Sequence, residues 1–427
     1  MQAARRQHKN AKSKPLYLSE EICGKEGDLS NMLIRGDNKA VMKTLLEDGY
    51  AGKIQMIYID PPFFSKADYE AVAKAGENQI RHLAYEDKWS KGMSQYLKML
   101  ASRLYLMKDL LADDGLIWLH LDWHVVHYAK VIMDDIFGEK NFVNEIIWQY
   151  KSGGSSKRHF SRKHDSILVY SKSSKYQFHP LLEKSYNRQY KPYRFKGVKE
   201  YKDDLGWYTM VNMKDVWSID MVGRTSAERT GYATQKPEAL LERMIESCTK
   251  EGDLCADFFC GSGTLPAVAG RMGRKFIGCD EGSLAIENSV SRLSKGNQTF
   301  RVYDLKKAGR AKLSVDLELI EEEIPMSEKA LLRVRLKSLH EKELDKETDE
   351  KMRETVKKVL SEDSLQLVEA WSIDFDYRDG VHRPDVTFVR TKGQLETEYE
   401  KIISQRKPMC IKVVDVFGNV VFERIGK

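Results

Sequence analysis

Two short apolar runs, Ile54-Gln55-Met56-Ile57-Tyr58-Ile59 and Leu254-Cys255-Ala256-Asp257-Phe258-Phe259, constrain the chain most, because each stops abruptly at residues that bend the backbone. Runs of this length bounded by turn signals read as buried strands. Before the first, Leu33 and Ile34 lead into Arg35-Gly36-Asp37-Asn38 and a helix-like stretch to Leu46. After it come amphipathic Tyr96 to Leu111, the turn signal Asp113-Asp114-Gly115, strand-like Leu116 to Leu121, helix-like Val125 to Phe137 and strand-like Val143 to Tyr150. Around the second run lie a helix from Pro237 to Cys248, a helix from Leu265 to Met272 and a strand from Lys275 to Cys279. Such alternation predicts an α/β fold, a parallel sheet covered by helices on both faces.

The chain between these blocks is different. From Lys151 to about Gly231 periodicity weakens, with Gly-Gly-Ser-Ser from Gly153, and Ser166 to Tyr170 is the one clear strand; this reads as an insert. The whole chain carries +6, yet Lys151 to Lys202 holds fourteen Lys/Arg against three Asp/Glu, with nine aromatics interleaved, among them Phe160, Tyr170, Tyr186, Tyr190, Tyr193 and Phe195. Cations neutralise phosphates and aromatics stack on bases, so the segment fits a nucleic acid. Any one of these residues taken singly reads more readily as local core or solvated charge; the segment as a whole favours DNA contact.

At 427 residues the chain exceeds what one core usually organises. Residues 1–16 read as a flexible basic arm, since Ala3 to Asn10 lacks the apolar centre of a secretory signal. Apolar runs are too short to span a membrane, which points to the cytoplasm. Six cysteines without a C-x-x-C pair argue against a zinc site or a disulfide framework. Beyond Arg301 the sequence turns acidic from Glu318 to Glu323, reads as a charged helix from Ser327 to Leu360, and ends in strand-like runs around Thr387 and from Ile411 to Glu423.

Chemistry concentrates where the two apolar runs end. Asp257-Phe258-Phe259-Cys260-Gly261-Ser262-Gly263-Thr264 closes a strand and opens a helix, a place where glycines let a ligand approach and a helix start favours an anion. Asp280, ending the next strand, would bond ribose hydroxyls. The glycine spacing is not G-x-G-x-x-G, which counts against a nicotinamide or flavin, and a glycine turn without a ligand stays open. Asp60-Pro61-Pro62-Phe63 makes a rigid corner whose carboxylate and carbonyls accept hydrogen bonds, with Phe63 as a flat face for a base. The alternative is a plain proline turn with Asp60 as a helix cap.

Together these segments resemble the β-class amino-group DNA methyltransferases, which modify N6 of adenine or N4 of cytosine, and especially the modification subunits of type III restriction systems. Asp60 to Phe63 resembles their catalytic D-P-P-[YF] motif, Asp257 to Thr264 their F-x-G-x-G cofactor motif, Thr234-Gln235-Lys236-Pro237 their T-x-K-P motif, and Gly36-Asp37-Asn38 their G-D segment. The likeness runs from about residue 30 to 295. Phe63 replaces the commoner tyrosine, and Ala233 stands where a proline often precedes T-x-K-P.

The resemblance implies a circularly permuted Rossmann-like methyltransferase fold that binds S-adenosyl-L-methionine, with a target-recognition insert and a C-terminal α+β appendage. It divides the chain into a catalytic half (17–150), the insert (151–231), a cofactor half (232–300) and the appendage (301–427). It assigns Asp60, Pro61, Pro62 and Phe63 to catalysis on a flipped adenine in double-stranded DNA. To the cofactor it assigns Asp37, Asn38, Thr234, Lys236, Asp257, Phe258, Phe259, Gly261, Gly263, Thr264 and Asp280. Methyl transfer needs no metal. An N4-cytosine enzyme and a non-catalytic DNA-recognition subunit are the alternatives. The appendage is left with three readings: more DNA grip, a homodimer contact, or a contact with a restriction subunit.

Overall fold

The computed structural model describes residues 4–5, 8, 10–64, 68–75, 78–86, 92–151, 155–223, 225–232, 234–306, 313–341, 350–390 and 393–426. The glycines at 153 and 154 and Ala233 lie outside them.

Ten strands form the central sheet: β1 (Tyr17–Ile22), β2 (Glu26–Arg35), β3 (Ile54–Ile59), β4 (Leu111–Leu121), β5 (Phe142–Gln149), β6 (His164–Ser171), β7 (Val216–Ser218), β8 (Leu254–Asp257), β9 (Lys275–Asp280) and β10 (Gln298–Asp304). Their order across the sheet is β1-β10-β2-β9-β8-β3-β4-β6-β5-β7. The stretch from β10 to β4 is parallel throughout. Helices α1 (Asn38–Glu47), α2 (Met93–Leu110) and α3 (Val126–Phe137) cover one face through Val41, Leu104 and Met133. The other face packs α4 (Glu238–Cys248), α5 (Thr264–Arg271) and α6 (Ser283–Lys295) through Met244, Val268 and Leu293. In β3, Ile54, Ile57 and Ile59 enter the first core while Met56 and Tyr58 enter the second, so its unbroken apolar run reflects burial on both faces. This is the doubly wound, Rossmann-like architecture expected.

Four expectations change. The sheet is mixed: β6 runs antiparallel to both β4 and β5, and β1 antiparallel to β10. The strand inside the expected insert is β6 itself, so residues 164–171 belong to the central sheet; its Ile167, Leu168 and Val169 are too apolar to leave a core. Strands Leu182–Tyr186, Glu200–Asp203 and Gly206–Asn212 form the separate antiparallel sheet that remains of the insert, and β7 then rejoins the main one. The described residues of the basic arm are docked, with Ala4 buried, Arg5 Nε donating to Tyr105 on α2 at 2.8 Å and His8 2.8 Å from Asp109.

The fourth correction concerns the expected helix from Ser327 to Leu360. Ala330–Glu341 is a strand paired with Leu313–Glu323, and the helix that follows, α7, spans only Glu350–Asp363. Leu332, Val334 and Leu336 are buried, while Arg333 and Arg335 pair with Glu398, Glu400 and Glu318 on neighbouring strands. Period-two alternation was present in Leu332-Arg333-Val334-Arg335-Leu336, and the high charge content hid it. The runs near Thr387 and from Ile411 are strands, Val386–Val389, Met409–Asp415 and Val420–Ile425, around a separate core containing Trp371. This appendage meets the main sheet through Lys412, whose ammonium lies 2.6 Å from Glu20 and 2.7 Å from Glu287. No helix among the described residues is long and apolar enough to cross a membrane.

Candidate active site

Parallel neighbours β3 and β8 send their following helices to opposite faces of the sheet, α2 to one and α5 to the other. A crevice must open at their carboxyl ends, where ligands of such sheets bind. A cavity of about 490 Å³ lies there, a size usual for small-molecule sites. The two motifs, almost two hundred residues apart in sequence, face each other across it.

On one wall stands Asp60-Pro61-Pro62-Phe63. Asp60 pairs through Oδ2 with Lys236 Nζ, which also donates to the Thr234 carbonyl at 3.4 Å and sits 5.3 Å from the centre of the Phe63 ring. The other oxygen, Asp60 Oδ1, is buried and has no hydrogen-bond partner among the described residues. Lys236, expected on the cofactor side, therefore stands beside the acceptor corner.

The opposite wall is the glycine turn. Asp280 ends β9 with Oδ2 accepting from Gly261 N–H and Oδ1 from Gly282 N–H, both at 2.9 Å. Burial raises its carboxyl above the ordinary range despite those bonds. Asp257 is pushed well above that range by burial, opposed by the hydrogen bond that Oδ1 accepts from Phe259 N–H at 2.9 Å. Gly261 and Gly263 have φ of 47° and 69°, which disfavours side chains. A Cβ at Gly263 would lie 2.6 Å from Ser289 Oγ, so packing forbids one there as well. Gly263 caps α5 and is the one expected site residue not lining the cavity. Thr264 lines it, its hydroxyl held 2.9 Å from Arg292 Nη1. Phe258 lies fully in the core, while Phe259 is half-buried at the rim.

Asp37 and Asn38 complete the site from the start of α1. Asp37 caps the helix by accepting from Lys39 N–H at 3.2 Å, and Asn38 Nδ2 donates to the Phe258 carbonyl at 2.8 Å. Arg103 on α2 holds both, donating to Asp37 Oδ1 at 3.0 Å and to Asn38 Oδ1. Sequence reasoning missed Arg103; the available signal was a cation on the same stripe as Leu100, Leu104 and Met107, all buried. It also missed a buried chain behind Phe63. Tyr58 Oη is 2.9 Å from His120 Nδ1, His120 Nε2 is 3.2 Å from Asp165, and Tyr150 donates to Asp165 at 3.2 Å. Burial alone would raise Asp165, but its bond to His120 and the nearby charges of His120 and Lys236 hold it below the usual carboxylate range.

Residues 54–291 match the DNA methylase family of N6 and N4 methyltransferases, more than half of the chain. The chain belongs to that family. The methyltransferase is 28% identical over 328 residues to the type II methyltransferase M.EcaI of Enterobacter cloacae, covering 63% of this chain and 70% of the relative. It is 30% identical over 252 residues to M2.DpnII of Streptococcus pneumoniae, covering 58% and 84%. Over 158 residues it is 31% identical to the EcoP15I Mod subunit of Escherichia coli, a type III restriction-modification enzyme, covering 34% and 24%. Its substrate is DNA and its methyl donor is S-adenosylmethionine. The cavity fits that donor: an aspartate at the end of a strand, a turn whose Gly261 lines the cavity at a positive φ that side chains rarely adopt, and an unspent acceptor across the gap.

Proposed function

We propose that this methyltransferase modifies N6 of an adenine flipped out of double-stranded DNA at a specific sequence, acting in the cytoplasm as the modification arm of a restriction-modification system. The observation that carries the reading is Asp60 Oδ1, a buried acceptor without a partner among the described residues, on a side chain that lines the cavity together with Phe63. A buried acceptor costs free energy unless it is bonded, so it is complementary to an arriving N–H. Its Asp-Pro-Pro-Phe setting favours adenine over cytosine, because in this family Asp at the first position is commoner with adenine and Ser with cytosine.

S-adenosylmethionine supplies an electrophilic methyl carbon. Asp60 Oδ1 and the Pro61 carbonyl receive the two amino hydrogens, and Pro62 keeps the corner rigid. Held this way, the amino nitrogen turns its lone pair toward the methyl group. The Asp60 carboxylate stabilises the positive charge that develops on nitrogen, an effect enlarged in a dry cavity. Phe63 stacks on the base, worth roughly 1–3 kcal/mol, which offsets much of the few kcal/mol that flipping costs. Asp280 holds the ribose, Asp37 and Asn38 reach the adenine ring of the cofactor, and the turn from Asp257 through Phe258, Phe259, Gly261 and Gly263 to Thr264 shapes the methionine end, closed by Thr234.

Residues 151–231 outside β6 and β7 form the recognition segment in this reading. Phe160, Tyr190 and Phe195 are exposed there, and the Arg162 guanidinium stacks 3.9 Å from the exposed Trp123 ring. The appendage is free to serve a second copy or a restriction subunit. The test is transfer of labelled methyl to unmethylated genomic DNA, followed by mass spectrometry of the nucleosides. N6-methyladenine is expected. N4-methylcytosine would overturn the base assignment, and unlabelled DNA despite bound cofactor would overturn catalysis.

A further inference from the structure

The geometry points to Lys236 as the second half of a base reader: its ammonium donates to the ring nitrogen beside the target amino group, while Asp60 accepts from that amino group. This rests on the reading above that the target base enters the cavity amino group first.

The Asp60–Lys236 pair has unspent hydrogen-bonding capacity. An ammonium has three N–H donors and a carboxylate has lone pairs on both oxygens. Lys236 spends one donor on Asp60 Oδ2 and one on the Thr234 carbonyl, leaving a third without an acceptor among the described residues. Asp60 Oδ1 is left without a donor. The free acceptor and the free donor are thus side by side, locked by their own ion pair, and the ammonium stands 5.3 Å from the Phe63 ring centre on which a base would stack. Both side chains are nine-tenths or nearly so withdrawn from water, at 11% and 15% exposure, so water does not satisfy these groups cheaply.

An acceptor beside a donor is the pattern that thymine presents to adenine, through O4 and N3–H, and that guanine presents to cytosine, through O6 and N1–H. The Asp60–Lys236 pair would therefore replace the partner the flipped base has left. It takes the amidine edge of adenine, N6–H with N1, or of cytosine, N4–H with N3. Thymine and guanine offer a carbonyl where Asp60 needs an N–H, so the pair rejects both keto bases by setting oxygen against oxygen. Donation to a ring nitrogen draws density away from the amino group, so the contact selects and orients the base and does not activate it. It also gives a physical reason why one site design serves both N6 and N4 chemistry in this family.

The test uses the full-length protein and duplex DNA carrying its mapped site, with the target adenine replaced by 1-deazaadenine, which keeps the amino group and lacks the N1 acceptor. Wild-type kcat/KM is expected to fall at least tenfold on the analogue. K236M is expected to be slower on natural DNA and to show an analogue penalty at least fivefold smaller than the wild-type penalty, the analogue's intrinsic change in reactivity cancelling in the ratio of the two penalties. A wild-type enzyme indifferent to the analogue, or a K236M variant that keeps the full penalty, overturns the inference. The wild-type comparison stands even if K236M folds poorly, which cofactor titration checks. If the mapped mark is N4-methylcytosine, 3-deazacytosine replaces the analogue and the expectation is unchanged. Label on neither base defeats the underlying reading, whereas label on adenine without the deaza penalty defeats this inference alone.

Discussion

The two walls of the cavity hold their carboxylates by opposite means. Asp257 and Asp280 are tied to backbone N–H groups of the turns on their own wall, Phe259 for the first and Gly261 and Gly282 for the second. Asp60 is tied to a side chain, Lys236, that arrives from a segment far away in sequence, and it keeps one oxygen unspent. Backbone-held carboxylates are fixed parts of a cradle. A carboxylate with a spare lone pair and a side-chain partner is able to take a new donor. The difference separates holding a cofactor from acting on a substrate within one cleft.

Removing one carboxylate from each wall separates the two roles most strongly. Asp60→Ala is expected to lower methyl transfer by about 10²- to 10³-fold, the usual loss for a group that stabilises developing charge. Cofactor affinity by titration calorimetry should stay within about threefold, or under ~1 kcal/mol. Asp280→Ala is expected to do the reverse, weakening affinity first. Equal loss of affinity in both variants would mean the walls act as one unit.

The cradle itself can be strained next. Gly263→Ala puts a Cβ at a left-handed φ and against Ser289, and is expected to cost about 2–5 kcal/mol in urea unfolding, from roughly 1–2 for the backbone and 1–3 for overpacking. Ser289→Gly in that background should recover part of the loss; no recovery would place the strain elsewhere. The smallest effect concerns pH. Burial raises Asp257 in the folded state, so its stabilising contribution is complete below the unfolded value near ~3.9 and is lost as pH rises through the folded value. Asp257→Asn retains an acceptor for Phe259 N–H without a titrating charge. Its stability relative to wild type should therefore be higher at pH 8 than at pH 5. A constant difference across that range would remove burial as the cause.

Both corners were legible from the sequence because each is written in contiguous residues whose physics is local. Proline fixes φ, glycine tolerates positive φ, and an apolar run ending at Asp is a buried strand reaching the sheet edge. The partners of those corners were not legible. Arg103 lies mid-helix, His120 sits between two leucines of a buried strand, and Lys236 reads alone as a solvated lysine at a helix start. Each acquires meaning from a residue 45 to 176 positions away. The misread strand at Ala330–Glu341 has the same origin, since its arginines are explained by glutamates on neighbouring strands.

By itself the sequence determined the α/β alternation, the acceptor corner, the glycine turn and their order along the chain, because dihedral preference and hydrophobic periodicity act over a few residues. Tertiary structure decided that the corner and the turn share one cavity, that Lys236 serves Asp60, and that a buried Tyr58–His120–Asp165 chain stands behind Phe63. Those contacts depend on strand order and on which face each crossover helix takes, and only the packing of the whole sheet fixes either.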